Sequence, residues 1–351
     1  MSYLNVGDYE REAERVLDPG AFGYFAGGAG DERTLRDNVE AFARWQLRPR
    51  VLVDVGAVTT ATEVLGREVS MPLLVAPTAF QRLAHADGEV GMARAAASGG
   101  TVMCLSTLAS VTPGELAKAA PGARLWFQLY WSTDRGFTAD LLASVVEAGF
   151  EAVVLTVDFS AAGRRERDLR NAFALPDDVT SPNIPGPLRR QDFHAALGEI
   201  VDTTLTWRDL EWLRERCPVP LLLKGILSAE DALLAVEHGA AGVIVSNHGG
   251  RQLDGVAASL DALPEVVEAV GERAEVLLDG GIRRGTDILT ALALGARAVL
   301  AGRAVVWGLA VGGEHGVRDV LELLRAEIAL GLTHLGCRSP ADVTRAHVKA
   351  R

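Results

Sequence analysis

Eight short apolar runs, each separated from the next by room for a helix, constrain this chain more than any other feature. They occupy residues 73–77, 102–106, 125–129, 153–158, 221–225, 243–246, 276–279 and 298–302. Most are β-branched or leucine-rich without polar alternation, as strands buried on both faces must read. Such strands alternating with helices build a parallel sheet, and eight of them fit a closed (β/α)8 TIM barrel better than an open doubly wound sheet. The helix between the fifth and sixth runs has readable ends: Ser228 and Asp231 stand at capping-box spacing, and Gly239 lies at its C-terminal side.

One domain over 1–351 accounts for the whole chain: an N-terminal extension (1–70), a barrel (71–310) and C-terminal helices (311–351), one of them at about 317–330. The segment 159–205, between the fourth and fifth runs, is long for a connection in a compact domain. It is expected to be a lid or disordered, and it contains SPNIPGP (181–187) and Arg189-Arg190.

Composition removes several function classes. With 35 basic against 46 acidic residues and a net charge of −11, the chain lacks the basic face that nucleic acid requires. Three scattered cysteines form no CxxC, which argues against a disulfide framework or a thiolate zinc site and fits a cytoplasmic protein. No run is long and apolar enough to span a membrane.

In this fold the carboxyl ends of the strands face the active site. The residues delivered there are Thr78, Ser106, Gln128 and Tyr130, Thr156 and Asp158, Lys224, Ser246 with His248 and Arg251, Asp279, and Gly302 with Arg303. A strand-terminal cap explains any one of them but not the set. DGGIRRG (279–285) follows the seventh run, where barrels commonly bind phosphate; Gly280 and Gly281 permit close backbone approach, and Arg283 and Arg303 offer forked donors. Lys224, flanked by leucines, needs an anionic or electron-rich partner. His248 is the one histidine of seven in a glycine-rich loop at a strand's end, placed to act as a base near neutral pH, with Asp158 available to orient it. No second histidine or cysteine stands at metal-ligand spacing, so no metal is expected.

These residues resemble the FMN-dependent (S)-2-hydroxy-acid oxidases and dehydrogenases, a family that includes glycolate, lactate and mandelate oxidases. The likeness rests on YFAGGAGDE (24–32), VAPTAF (75–80), WFQLY (126–130), LTVD (155–158), GRRERDLRN (163–171), LLKG (222–225), SNHGGRQLDG (246–255), DGGIRRGTD (279–287) and AGR (301–303). Only about 176–205 matches poorly. The resemblance implies FMN across the barrel mouth, its phosphate on Arg283, Gly302 and Arg303, its ribityl chain near Lys224 and Asp279, and its ring against Pro77, Thr78, Ala79, Ser106, Gln128 and Thr156. It implies a substrate carboxylate held by Arg251, Arg165 and Tyr24, a hydroxyl or keto oxygen near Tyr130, and His248 as base with Asp158 as its partner.

The polar segment 188–202 is unlike the apolar insertion of membrane-bound relatives, and Ala79 stands where a glycine accompanies poor oxygen reactivity in some relatives; a soluble oxidase using O2 is expected. Leu108 and Ala162 replace bulkier residues of glycolate oxidases, which implies a roomier pocket: mandelate or 4-hydroxymandelate first, glycolate or lactate second. Family likeness implies a homotetramer. Two rivals stay open: a phosphate-binding isomerase or aldolase, which has no need for Arg165, Arg251 and Tyr24 together, and a flavoprotein acting on a peptide-derived substrate.

Overall fold

The computed structural model describes residues 3–186 and 198–351. The extension begins with α1 (Val6–Val16), α2 (Pro19–Ala26), α3 (Arg33–Glu40), a short strand β1 (Trp45–Leu47) and the hairpin β2 (Thr62–Val64) and β3 (Arg67–Val69). The eight apolar runs then form β4 (Leu73–Val75), β5 (Val102–Ser106), β6 (Arg124–Leu129), β7 (Ala152–Thr156), β8 (Leu221–Ile226), β9 (Gly242–Val245), β10 (Glu275–Asp279) and β11 (Ala298–Ala301). All eight pair in parallel and close in the order β10-β11-β4-β5-β6-β7-β8-β9.

Between and after them come α4 (Gly88–Ser98), α5 (Pro113–Ala119), α6 (Arg135–Glu147), α7 (Glu166–Arg170), α8 (Asp209–Arg216), α9 (Ala229–Glu237), α10 (Ser259–Val270), α11 (Gly285–Ala293) and α12 (Arg303–Leu335). The Ser228 hydroxyl caps α9 by accepting from the Asp231 N–H at 3.2 Å, as its spacing implies. A final strand β12 (Val348–Ala350) pairs antiparallel with β1 and ties the two ends of the chain together.

Two layers of apolar side chains explain why the strand sequences do not alternate. One layer faces the helices, and the other fills the barrel with Leu74, Cys104, Trp126, Leu222, Ile244 and Leu277. Val64 and Val69 of the hairpin join that interior, and the Leu65 N–H donates to the Glu275 carboxylate at the start of β10, so the hairpin plugs the amino end. The other end is left open for chemistry.

Two expectations change. The helix expected at 317–330 belongs to α12, which starts at Arg303 and is broken at Gly312 and Gly313, the latter at φ +58. Those glycines interrupt the apolar period, which is why only the second half reads as a helix from sequence. Of the segment 159–205, the described parts are docked rather than loose: Ser181 donates to the Thr107 carbonyl at 3.0 Å and Asn183 to that of Val111 at 2.9 Å. Arg189-Arg190 and most of 188–202 lie outside the described residues.

Candidate active site

The carboxyl ends of the strands open into a cavity. Its walls carry Tyr24 from α2; Pro77, Thr78 and Ala79 after β4; Ser106 and Leu108; Gln128 and Tyr130; Thr156; Arg165; Lys224; His248 and Arg251; Asp279, Gly280, Gly281 and Arg283; and Gly302 with Arg303. Asp158 and Ser246 stand behind this lining, each bonded to a residue within it. Ala162 is half-buried and is not among the lining residues; Phe159 of the same loop is, with its ring centroid 5.0 Å from that of Tyr130.

His248 follows β9 in a tight turn that holds it at φ +59, a conformation costing a non-glycine residue roughly 1–2 kcal/mol. The turn is pinned from below. The Ser246 hydroxyl accepts the His248 N–H at 3.0 Å, and the Asn247 side-chain oxygen accepts the Gly250 N–H at 3.0 Å. Asn247 and Asn38 of α3 exchange two amide hydrogen bonds of 2.8 Å, both side chains buried. Asn38 is thus a supporting residue that the sequence did not disclose, since 209 positions separate it from its partner.

His248 Nδ1 lies 2.9 Å from Asp158 Oδ1, and the Tyr130 hydroxyl 3.3 Å from Nε2. Burial pushes the imidazole pKa below its ordinary value, an effect that outweighs the opposing pull of Asp158. Burial opposes ionisation of the Asp158 carboxyl too, but the adjacent imidazole and the Lys224 ammonium hold it below the usual carboxylate range. The neutral imidazole therefore donates from Nδ1 to an ionised Asp158 and leaves Nε2 free to accept a proton.

Room for Asp158 comes from β8. Gly225 sits at φ +113 in a register shift between Lys224 and Ile226, and a Cβ there would lie 2.6 Å from that of Asp158. Lys224 shares the inward face of β8 with Leu222 by strand alternation, and its ammonium contacts Ser246 Oγ at 2.7 Å and Asp279 Oδ2 at 3.0 Å. Burial alone would lower the lysine pKa, but Asp279 and Asp158 more than reverse this, so it stays charged. Gln128 continues the floor, accepting from Ser106 at 3.2 Å and donating to Thr156 at 2.9 Å.

Two guanidinium groups face the base. Arg251 stacks 5.0 Å above the Tyr24 ring and donates to the carbonyls of Tyr24 and Gly27. Arg165 is buried, with its Nε lacking a hydrogen-bond partner among the described residues; desolvation, reinforced by Arg251, pushes it down to about 10. An incoming carboxylate would relieve both penalties. The Arg303 side chain donates at 2.8–2.9 Å to the carbonyls of Phe25, Gly27 and Gly249, so three of its five N–H groups are spent on backbone. Two remain, and Arg303 lines the cavity together with Arg283 and the backbone of Gly302. Arg283 is held loosely by Glu10 at 3.7 Å.

A flavin mononucleotide suits these groups. Asp279 Oδ1 is a buried acceptor with no hydrogen-bond partner among the described residues, as a polyol chain requires. Gly280 and Gly281, at φ +98 and +81, and Gly302 leave backbone open at the phosphate end; a Cβ on Gly281 would strike the Asn38 carbonyl oxygen at 2.0 Å.

The sequence model of the FMN-dependent dehydrogenases matches residues 13–350. The chain belongs to this family. FMN is its cofactor, and it is an oxidoreductase of the 2-hydroxy-acid oxidase type. An L-lactate oxidase from Nostoc sp. (strain PCC 7120 / SAG 25.82 / UTEX 2576) is 50% identical over 354 residues, covering 97% of both chains. Glycolate oxidase 5 of Oryza sativa subsp. japonica is 48% identical, covering 98% of this chain and 95% of that one. The crystal structure of a mandelate oxidase with (S)-4-hydroxymandelic acid superposes with a TM-score of 0.94 at 44% identity, covering 99% of each chain.

Proposed function

We propose that this enzyme oxidises an (S)-2-hydroxy acid with a bulky side chain, mandelate or 4-hydroxymandelate first, to the 2-oxo acid while O2 is reduced to H2O2. The observation that carries the reading is the convergence of one unprotonated imidazole nitrogen and two guanidinium groups on a single cavity. Arg165 and Arg251 take the carboxylate, and stacking on Tyr24 keeps Arg251 in place. The Tyr130 hydroxyl, released from His248, bonds the substrate oxygen. His248 Nε2 takes a proton from the acid, and the ionised Asp158 stabilises the imidazolium that results. Bound FMN would supply the two-electron acceptor; Arg283, Gly302 and Arg303 would hold its phosphate, Lys224 and Asp279 its ribityl chain, and Pro77, Thr78, Ala79, Ser106, Gln128 and Thr156 its ring. Two electrons and two protons leave the acid, and O2 takes up both.

Leu108 on the cavity wall and the likeness to the mandelate oxidase support a bulky substrate. A second reading, lactate or glycolate, is favoured by the higher identity to the Nostoc L-lactate oxidase and by Phe159, which occupies part of the wall. O2 uptake and peroxide release with mandelate, 4-hydroxymandelate, lactate and glycolate separate the readings. The highest kcat/KM on an aromatic acid supports the first; a preference for lactate or glycolate overturns it; no peroxide with any of the four, despite bound flavin, overturns both.

A further inference from the structure

Glu89, in the first turn of α4, is 1% exposed, and the reaction has no use for it. An acid there suits the helix dipole, but that does not explain its reach. Its Oε1 accepts two backbone N–H groups at 3.0 Å each, from Gln81 and from Ser110. The first belongs to the loop after β4 and the second to the loop after β5. The same loops are joined directly by the Phe80 N–H, which donates to the Leu108 carbonyl at 3.0 Å, with Phe80 held at φ +52. The Gln81 side chain then reaches back to the Thr78 carbonyl at 3.3 Å. Thr78 and Ala79 on one loop and Leu108 on the other line the cavity, and Glu89 does not.

We infer that Glu89 is a positioning residue that staples the β4 and β5 loops together and so fixes the wall that meets the substrate's side chain. One oxygen satisfies two backbone donors on separate loops, one buried and one half-buried, and no apolar residue of the same size could do so without orphaning both. None of the hydrogen bonds of the staple goes to Arg165, Arg251 or His248, so its first effect is on side-chain fit and not on carboxylate capture or proton transfer. The side-chain role of Leu108 rests on the reading proposed above.

The test uses FMN-loaded Glu89→Ala, Glu89→Gln and Glu89→Asp. Loss of the staple raises KM for the preferred acid by about tenfold, the scale of a misfit of one methylene, with kcat within about twofold. Oxalate, which carries carboxylates but no side chain, binds unchanged as read from its perturbation of the flavin spectrum. Glu89→Gln keeps an acceptor oxygen and restores the parent KM. Glu89→Asp cannot span both loops and behaves as Glu89→Ala; it replaces that variant should Ala not fold. An unchanged KM in the loaded Asp or Ala variant, equal weakening of oxalate, or failure of Gln to restore the parent value overturns the inference. A parent enzyme with bound flavin that oxidises no 2-hydroxy acid instead overturns the functional reading, and oxalate binding by the variants still reports on the staple.

Discussion

Replacing Asp158 by asparagine removes one charge from the pair that makes His248 a base and leaves its size unchanged. Asp158 Oδ1 lies 2.9 Å from His248 Nδ1, and both side chains are largely buried. With charge centres roughly 4 Å apart and an effective dielectric of about 20, the ionised carboxylate stabilises an imidazolium by about 4 kcal/mol. At about 1.36 kcal/mol per power of ten, this corresponds to roughly a thousandfold in the rate of proton removal. The asparagine amide can also donate to Nδ1, which would leave the proton on Nε2, where a base must be empty. The variant should bind FMN fully, hold KM within about threefold because Arg165 and Arg251 are untouched, and reduce its flavin about 10³-fold more slowly. Anaerobic stopped-flow spectroscopy at saturating substrate measures this directly. Flavin reduction within tenfold of the parent would refute the coupling of Asp158 to the base.

Three further outcomes follow from the same geometry. Because burial lowers the His248 pKa and the base acts unprotonated, kcat/KM should be level through neutral pH and fall only as pH drops through a value below 6.5; a limb at or above 6.5 in a pH profile contradicts this. Gly225→Ala should lower kcat by about 10²-fold with FMN retained, since its Cβ displaces Asp158; steady-state kinetics unchanged from the parent would show that the glycine is dispensable. Leu108→Trp should cut kcat/KM for mandelate by about 10²-fold or more while sparing glycolate; equal loss on both acids places Leu108 away from the side-chain pocket.

The barrel is legible in the sequence because strands buried on both faces must be continuously apolar, and eight such runs separated by helices fit a closed barrel better than an open sheet. The polar residues at their ends are legible for the same reason, since each interrupts a run at a fixed place. What escaped the sequence are pairings across long separations and backbone acceptors. Asn38 with Asn247 and Glu89 with Gln81 and Ser110 involve ordinary residue types whose meaning comes only from the fold. Arg303 is instructive in another way: its place after the last strand implies a phosphate ligand, and three of its N–H groups also bind the carbonyls of Phe25, Gly27 and Gly249. Carbonyl positions leave no trace in side-chain pattern. Ala162 was expected on the substrate wall from its place in the β7 loop, where Phe159 lines the cavity.

The most direct test of the account is anaerobic reduction of the bound flavin by the best (S)-2-hydroxy acid, in the parent and in His248→Gln, at matched FMN content. The account predicts complete bleaching of the parent and none on the same timescale in the variant, which should still bind oxalate. Bleaching of both at similar rates would contradict it.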